Sequence, residues 1–157
     1  MTAFTKIEQE TLDIDWFAID KNGRIGHFAH GGFQSLPSSV AKSKEILETL
    51  KKYFDELPNI SESNSVTCSD FENKQESLLI TDIKRYVKSF AEMSNKGLYS
   101  YDSPPNGNKR PYFRVTIPKV ELKLNEMPQD IREILENLRM TEVNFVENSI
   151  ILEDYLL

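Results

Sequence analysis

The sequence predicts a single α+β domain over residues 1–157, with a mainly antiparallel sheet and about three helices. Three observations predict it. Two extended apolar runs flank a turn signal at Asp20-Lys21-Asn22-Gly23. Apolar residues recur at helical spacing in three later stretches, and strands and helices do not alternate as a parallel βαβ architecture requires. A chain of 157 residues also fits one domain, and at this size buries about 70% of the surface exposed when unfolded.

The hairpin is the strongest local signal. Asp15–Ile19 and Arg24–Ala29 are its arms. A two-residue Asn22-Gly23 turn would set Lys21 opposite Arg24, two like charges. A type I turn with Gly23 left-handed gives a three-residue loop with a bulge, pairing Asp20 with Arg24, Ile19 with Ile25 and Trp16 with Phe28. The second form is expected, because both its ion pair and its aromatic pair are favourable. It puts Trp16 and Phe28 on one face and Phe17, Ile19 and Ile25 on the other, so the hairpin is expected to lie centrally in the sheet.

The first helix is expected over about 38–57, with the cap region at Pro37-Ser38-Ser39, a stripe of Val40, Leu47, Leu50, Phe54 and Leu57, and Pro58 as its stop. A long polar loop follows over 58–77, interrupted by a short strand at Ser65–Cys68. The second helix, about 79–95, carries Leu79, Ile83, Tyr86, Val87, Phe90 and Met93 and ends at Asn95-Lys96-Gly97. Leu98–Tyr101 reads as a strand, Pro104–Gly107 as a turn and Tyr112–Ile117 as a clear β run, with Pro118 marking an edge or bend. Val120–Leu124 alternates like a strand. The third helix is expected over about 128–139, with Pro128 at its first position and Ile131, Ile134, Leu135 and Leu138 facing inward. Val143–Val146 and Ile150–Leu156 read as closing strands around a turn at Glu147-Asn148.

Composition narrows the function. The chain is 39% hydrophobic and 28% charged, ordinary globular values. No run of 18 apolar residues exists and the first fifteen residues carry no export signal, so a cytoplasmic, membrane-free protein is expected. Cys68 is the single cysteine, with acid nearby and no base; it reads as a small buried hydrophobe. The net charge of −6 argues against nucleic-acid binding, which needs a basic stripe. The charge is also uneven. Residues 119–157 hold nine acids and four Lys or Arg; the rest of the chain holds sixteen and fifteen. Glu133, Glu136, Glu142, Glu147, Glu153 and Asp154 are therefore read as a solvated acidic face with the capacity to dock a basic protein partner.

Reactive centres are scarce. His27 and His30 are three apart on a strand and are expected on opposite faces, one packed on the sheet and one at its solvated end, which disfavours a shared zinc. Asp13, Asp15 and Asp20 read as turn and strand-blunting residues before they read as a paired-carboxylate site. Gly31-Gly32-Phe33 lacks the residues of a phosphate loop, and no hydrolase, zincin or kinase signature occurs. No cofactor is expected. Tyr99, Tyr101, Tyr112 and Phe113, interleaved with Lys109, Arg110 and Arg114, read as core pairs or as an interface patch; Tyr99 and Tyr101 are carried as candidate partner contacts.

The stretch Trp16–Gly32, with Lys96-Gly97-Leu98-Tyr99-Ser100-Tyr101-Asp102, Tyr112-Phe113-Arg114 and Pro118, resembles small uncharacterised bacterial proteins, some of them similar to immunity proteins of polymorphic toxin systems. The similarity touches about half the chain and carries no catalytic motif. It implies a non-catalytic protein that neutralises a toxin through its acidic surface. The alternative is a small-ligand protein or enzyme using Asp13, Asp15, His27 or His30 at the end of the 15–30 hairpin, which requires those side chains to converge.

Overall fold

The computed structural model describes residues 1–32, 35–61, 66–67, 83–103, 111–152 and 155–157. Strands β1 (Ile14–Ile19) and β2 (Ile25–His30) form the hairpin in the expected register, with Trp16 opposite Phe28 and Ile19 opposite Ile25. Gly23 takes a φ of 81°, and its N–H donates to the Asp20 carbonyl at 3.1 Å. A left-handed residue at this position suits glycine, which has no Cβ to clash. The Asp20 side chain completes the turn: its Oδ1 accepts from the N–H groups of Asn22 and Arg24, each at 2.9 Å.

From β2 the sheet continues to β4 (Tyr99–Asp102) and β5 (Tyr112–Ile117). The β2–β4 pair is parallel and the other ladders are antiparallel. The far edge of β5 is shared by two short strands, β3 (Val66–Thr67) at one end and β6 (Ile150–Ile151) at the other. The hairpin is thus not central, as its doubly apolar faces suggest: β1 ends the sheet order. Its outer edge is nevertheless engaged, since the Ile19 N–H donates to Leu138 O at 3.0 Å and Ile19 O accepts from the Met140 N–H at 2.8 Å. Both faces of β1 are apolar because both are covered.

One face holds an aromatic stack. Trp16 lies 4.1 Å from Phe28 at 10°, Phe28 lies 5.1 Å from Tyr101 at 14°, and Tyr112 meets Trp16 and Phe28 edge-on. Phe145 closes this face against Phe28, Tyr99 and Tyr101. It can do so because residue 26 is glycine; a Cβ there would stand 2.7 Å from the Phe145 ring. The opposite face is covered by helices. Phe54 of α3 (Lys44–Glu56) packs on Phe17 at 4.6 Å, and Phe90 of α4 (Ile83–Asn95) joins Phe113 and Val115.

Several boundaries differ from the sequence expectation. The helix expected over 38–57 is two, α2 (Ser38–Ala41) and α3. Ser43 is extended, and its Oγ accepts from the Ile46 N–H at 3.2 Å, capping α3. The amino-terminal segment bonds on either side of the break: Phe4 N–H donates to Ala41 O, and Lys44 N–H to Thr2 O. That segment carries an unexpected helix, α1 (Lys6–Thr11), begun by a reciprocal Thr5–Glu8 capping box. The carboxy end of α4 behaves as read, with Gly97 at a φ of 99°. The third helix, α5 (Gln129–Glu136), is shorter than expected, and Pro128 precedes it as its cap. Val120–Leu124 is not a strand; it bends into a 3-10 turn at Leu124–Glu126. Val143–Val146 is also a turn, because Asn144 Oδ1 accepts from the Val146 N–H while Asn148 Oδ1 accepts from the Asn144 N–H. Among the described residues of 150–156, Ile150–Ile151 are strand and Leu152, Tyr155 and Leu156 are not. Most of the expected 58–77 loop, Phe33, Cys68, Leu79, the Pro104–Gly107 turn, Lys109, Arg110, Glu153 and Asp154 lie outside the described residues.

Gly26→Ala is expected to lower unfolding free energy by about 1–3 kcal/mol, the usual cost of overpacking a core. Urea unfolding followed by Trp16 fluorescence checks it, and Phe145→Leu in the same background should recover part of the loss.

Candidate functional site

His27 and His30 face opposite sides of the sheet, and both are buried. His30 is therefore not at a solvated strand end. Its Nε2 lies 2.6 Å from Gln9 O, a pure acceptor, so that nitrogen carries the proton. The Tyr112 hydroxyl then donates to Nδ1 at 3.3 Å and accepts from Trp16 Nε1 at 3.1 Å. This line of polar atoms fixes the rings of the aromatic stack. Tyr99 and Tyr101 belong to the same layer, 6% and 0% exposed. They are core residues, not surface contacts: β4 turns both side chains onto the Trp16–Phe28 face, where the Tyr101 hydroxyl donates to Asn148 O. Arg114 likewise donates to the carbonyls of Phe145 and Val146. Asp13 is exposed and Asp15 is half-buried.

On the helical face, Asp15, His27 and Ser100 form a line. Asp15 Oδ1 accepts from His27 Nε2 at 3.2 Å, and His27 Nδ1 lies 2.7 Å from Ser100 Oγ. Burial works against the Asp15 charge, but the His27 hydrogen bond and the nearby Lys51 ammonium outweigh it and hold the carboxyl below its usual range. The order Asp–His–Ser is that of a nucleophilic array. Here Ser100 is 0% exposed within β4. Asp102 follows on the same face. Burial pushes its carboxyl up to about 6, against the Tyr86 hydroxyl and the Ser103 N–H that donate to it. Among the described residues no group of three or more His, Cys, Asp or Glu is arranged to hold a metal ion.

The open concavity lies elsewhere. A groove of about 1040 Å³ runs between the hairpin turn, the segment 121–125 and α5. Its charged lining comprises Arg24, Glu121, Arg132, Glu133, Glu136 and Arg139, with Lys123. Buried Asp20 holds the turn whose residues Asn22–Arg24 form one wall: its Oδ2 accepts from the Phe145 N–H at 2.9 Å while Oδ1 holds the turn. Arg139 joins the other wall, gripping Glu136 with two nitrogens (2.7–3.0 Å) and donating to the carbonyls of Asp20 and Lys21. This grip holds Glu136 below the usual carboxylate range. Arg24 lies 3.0 Å from Glu121 and 3.6 Å from Asp20. Glu133 accepts from Gln129 at 2.8 Å.

Of the six acids expected to face a partner, Glu133 and Glu136 line this groove. Glu142 and Glu147 are exposed on the turns beyond it, and Glu142 precedes Val143, whose carbonyl accepts from the Lys21 N–H. The sequence reading missed Arg24, Arg132 and Arg139 as groove residues. Arg132 stands four before Glu136 on one helix face, but nothing local announces that the hairpin turn sits opposite. Comparison with family models, with curated proteins and with solved structures found no match.

Asp102 makes a testable contribution to stability. Its pKa is higher folded than unfolded, so the stability it adds is complete below the unfolded value near 4 and is lost as pH rises through about 6. The wild type should gain about 1–2 kcal/mol between pH 7.5 and 5 relative to Asp102→Asn, which lacks the titration. Urea titrations of both proteins across that window measure it.

Proposed function

We propose that this chain is a non-catalytic binding protein of immunity type, which neutralises a basic protein partner through an acidic face centred on α5. The observation that carries the reading is the position of Glu133 and Glu136 on the wall of an open groove beside a hairpin turn held by Asp20. The fixed geometry lowers the ordering cost of association, and the surplus of acid in residues 119–157 favours encounter with a basic surface. Glu142 and Glu147 extend the same charge outward. The resemblance of the hairpin and the 96–102 stretch to immunity-like proteins points the same way. On this reading the protein acts in the cytoplasm, with no cofactor.

A second reading, an enzyme, rests on the Asp15–His27–Ser100 line. It needs the strand around Ser100 to open, since the hydroxyl is enclosed, and it needs His27 to act through Nδ1.

Co-expression with the product of the adjacent gene tests the first reading. A complex should form and should protect against that product's activity. Neutralising Glu133, Glu136, Glu142 and Glu147 to Gln should weaken it about tenfold to a hundredfold and flatten its salt dependence, as loss of charge complementarity does. Absence of both complex and protection sinks the reading. Labelling of Ser100 by a fluorophosphonate would instead support the enzyme.

A further inference from the structure

We infer that Asn22 is a site of spontaneous deamidation whose rate is set by opening of the hairpin turn, and that the isoaspartate product displaces one wall of the groove. The inference goes beyond the binding reading and does not rest on it.

The chemistry needs a side-chain amide followed by an unhindered backbone nitrogen. The Gly23 nitrogen gives up its proton and attacks Asn22 Cγ. An N–Cγ bond forms, the Cγ–Nδ2 bond breaks, and Nδ2 leaves with the proton as ammonia. The resulting succinimide takes up one water and opens at either carbonyl, giving aspartate or isoaspartate. Water is the only co-reactant. Asn22-Gly23 supplies both partners: Asn22 is exposed on the groove, and a glycine has no Cβ to crowd the attack.

In the closed turn the nucleophile is held. Three consecutive N–H groups donate to Asp20, those of Asn22 and Arg24 to Oδ1 at 2.9 Å each and that of Gly23 to the main-chain oxygen at 3.1 Å. The Asp20 N–H donates back to Arg24 O at 3.0 Å. Arg139 Nη1 braces the same loop, donating to the carbonyls of Asp20 at 3.1 Å and Lys21 at 3.2 Å. Loss of the Gly23 proton therefore breaks a bond of the turn. It also places an amide anion close to the buried Asp20 carboxylate, which repels it. The Asn22 side chain meets solvent while the nitrogen that must attack it is tied down. Reaction then follows the population of the locally opened turn.

The two products differ in what they do to the corner. Aspartate keeps the main chain and adds one negative charge to a groove already lined by Arg24 and Arg139. Isoaspartate routes the main chain through Cβ and lengthens it by one carbon between residues 22 and 23. The N–H groups of Asn22 and Arg24 then no longer converge on one Asp20 oxygen, and the wall formed by residues 22–24 shifts.

The full chain is incubated at mildly alkaline pH, folded and in denaturing urea, then mapped by proteolysis and mass spectrometry against isoaspartyl peptide standards. Asn106-Gly107 repeats the dipeptide outside the described residues, so the map must separate the two sites. Asn22 should convert in urea, and at least about tenfold more slowly in the folded chain, the factor that about 1.4 kcal/mol of local opening gives. Asp20→Asn should speed the folded-state reaction and leave the rate in urea unchanged. Where that variant does not fold, Arg139→Gln carries the test and should raise the folded-state rate severalfold. The isoaspartate form, separated by ion exchange, should show shifted Asn22, Arg24 and Phe145 amide signals in ¹H–¹⁵N spectra. Equal rates in folded and denatured chain, no conversion at Asn22 in urea, a folded-state rate that Arg139→Gln leaves unchanged, or unshifted amides in the isoaspartate form would overturn the inference.

Discussion

The Asp20 carboxylate has no exposure to solvent, and its two oxygens accept from three backbone N–H groups, those of Asn22, Arg24 and Phe145. Removing a carboxylate from water costs several kcal/mol, so it is kept only where charge-assisted bonds replace the water. Here they do two things at once. Oδ1 closes the hairpin turn, and Oδ2 pins the distant segment around Phe145 to that turn. The neighbouring backbone reinforces the join, with Lys21 N–H on Val143 O and Ile19 paired to Leu138 and Met140. The first and last thirds of the chain are therefore held together at one corner, and the groove wall is part of that corner.

The same tie seats Phe145 on the aromatic face. Gly26 leaves the space, and Tyr99, Phe28 and Tyr101 surround the ring. Stacked and edge-on rings contribute about 0.5–1.5 kcal/mol per pair beyond their buried area, so a layer of this kind holds the four strands β1, β2, β4 and β5 in register. Its polar atoms are provided for: the Trp16 indole, the Tyr112 hydroxyl and His30 form a continuous line ending on Gln9 O. The two faces of one sheet thus have different characters. One is an aromatic layer crossed by the Trp16–Tyr112–His30 polar line. The other mixes helix-borne apolar packing with the Asp15–His27–Ser100 line and Asp102.

That division bears on function. The arrangement most like a catalytic array ends on a serine hydroxyl enclosed in the sheet, while the groove at the hairpin turn is bordered by arginines and glutamates. A reaction at Ser100 needs that hydroxyl accessible; the proposed recognition needs fixed charges next to open space. The groove meets the second requirement, and its charges are held by main-chain contacts rather than by long mobile side chains alone. Arg139, for example, joins Glu136 to the carbonyls of the turn.

The hairpin was legible in the residues from Trp16 to Phe28 because its determinants are local: a turn glycine, an Asp that bonds its own turn, and partners in direct register. The strand Tyr112–Ile117 and the carboxy end of α4 at Gly97 were legible for the same reason, and so was the separation of His27 from His30. Thr5 and Glu8 carried a signal for α1 that a search for long apolar stripes passes over, since the helix buries no residue. The break at Ser43 depends on Thr2 and Phe4 reaching across to it, and no stripe of apolar residues reports that. The groove was not legible at all. The acids of α5 were read as a surface, but whether they line a cavity depends on the hairpin turn being brought beside them by Asp20 and Phe145, 125 positions apart. Local rules decided which segments extend and turn. Only tertiary contact decided that Tyr99 and Tyr101 are interior and that Arg24, Arg132 and Arg139 share one space, because neither burial nor convergence is a property of neighbouring residues.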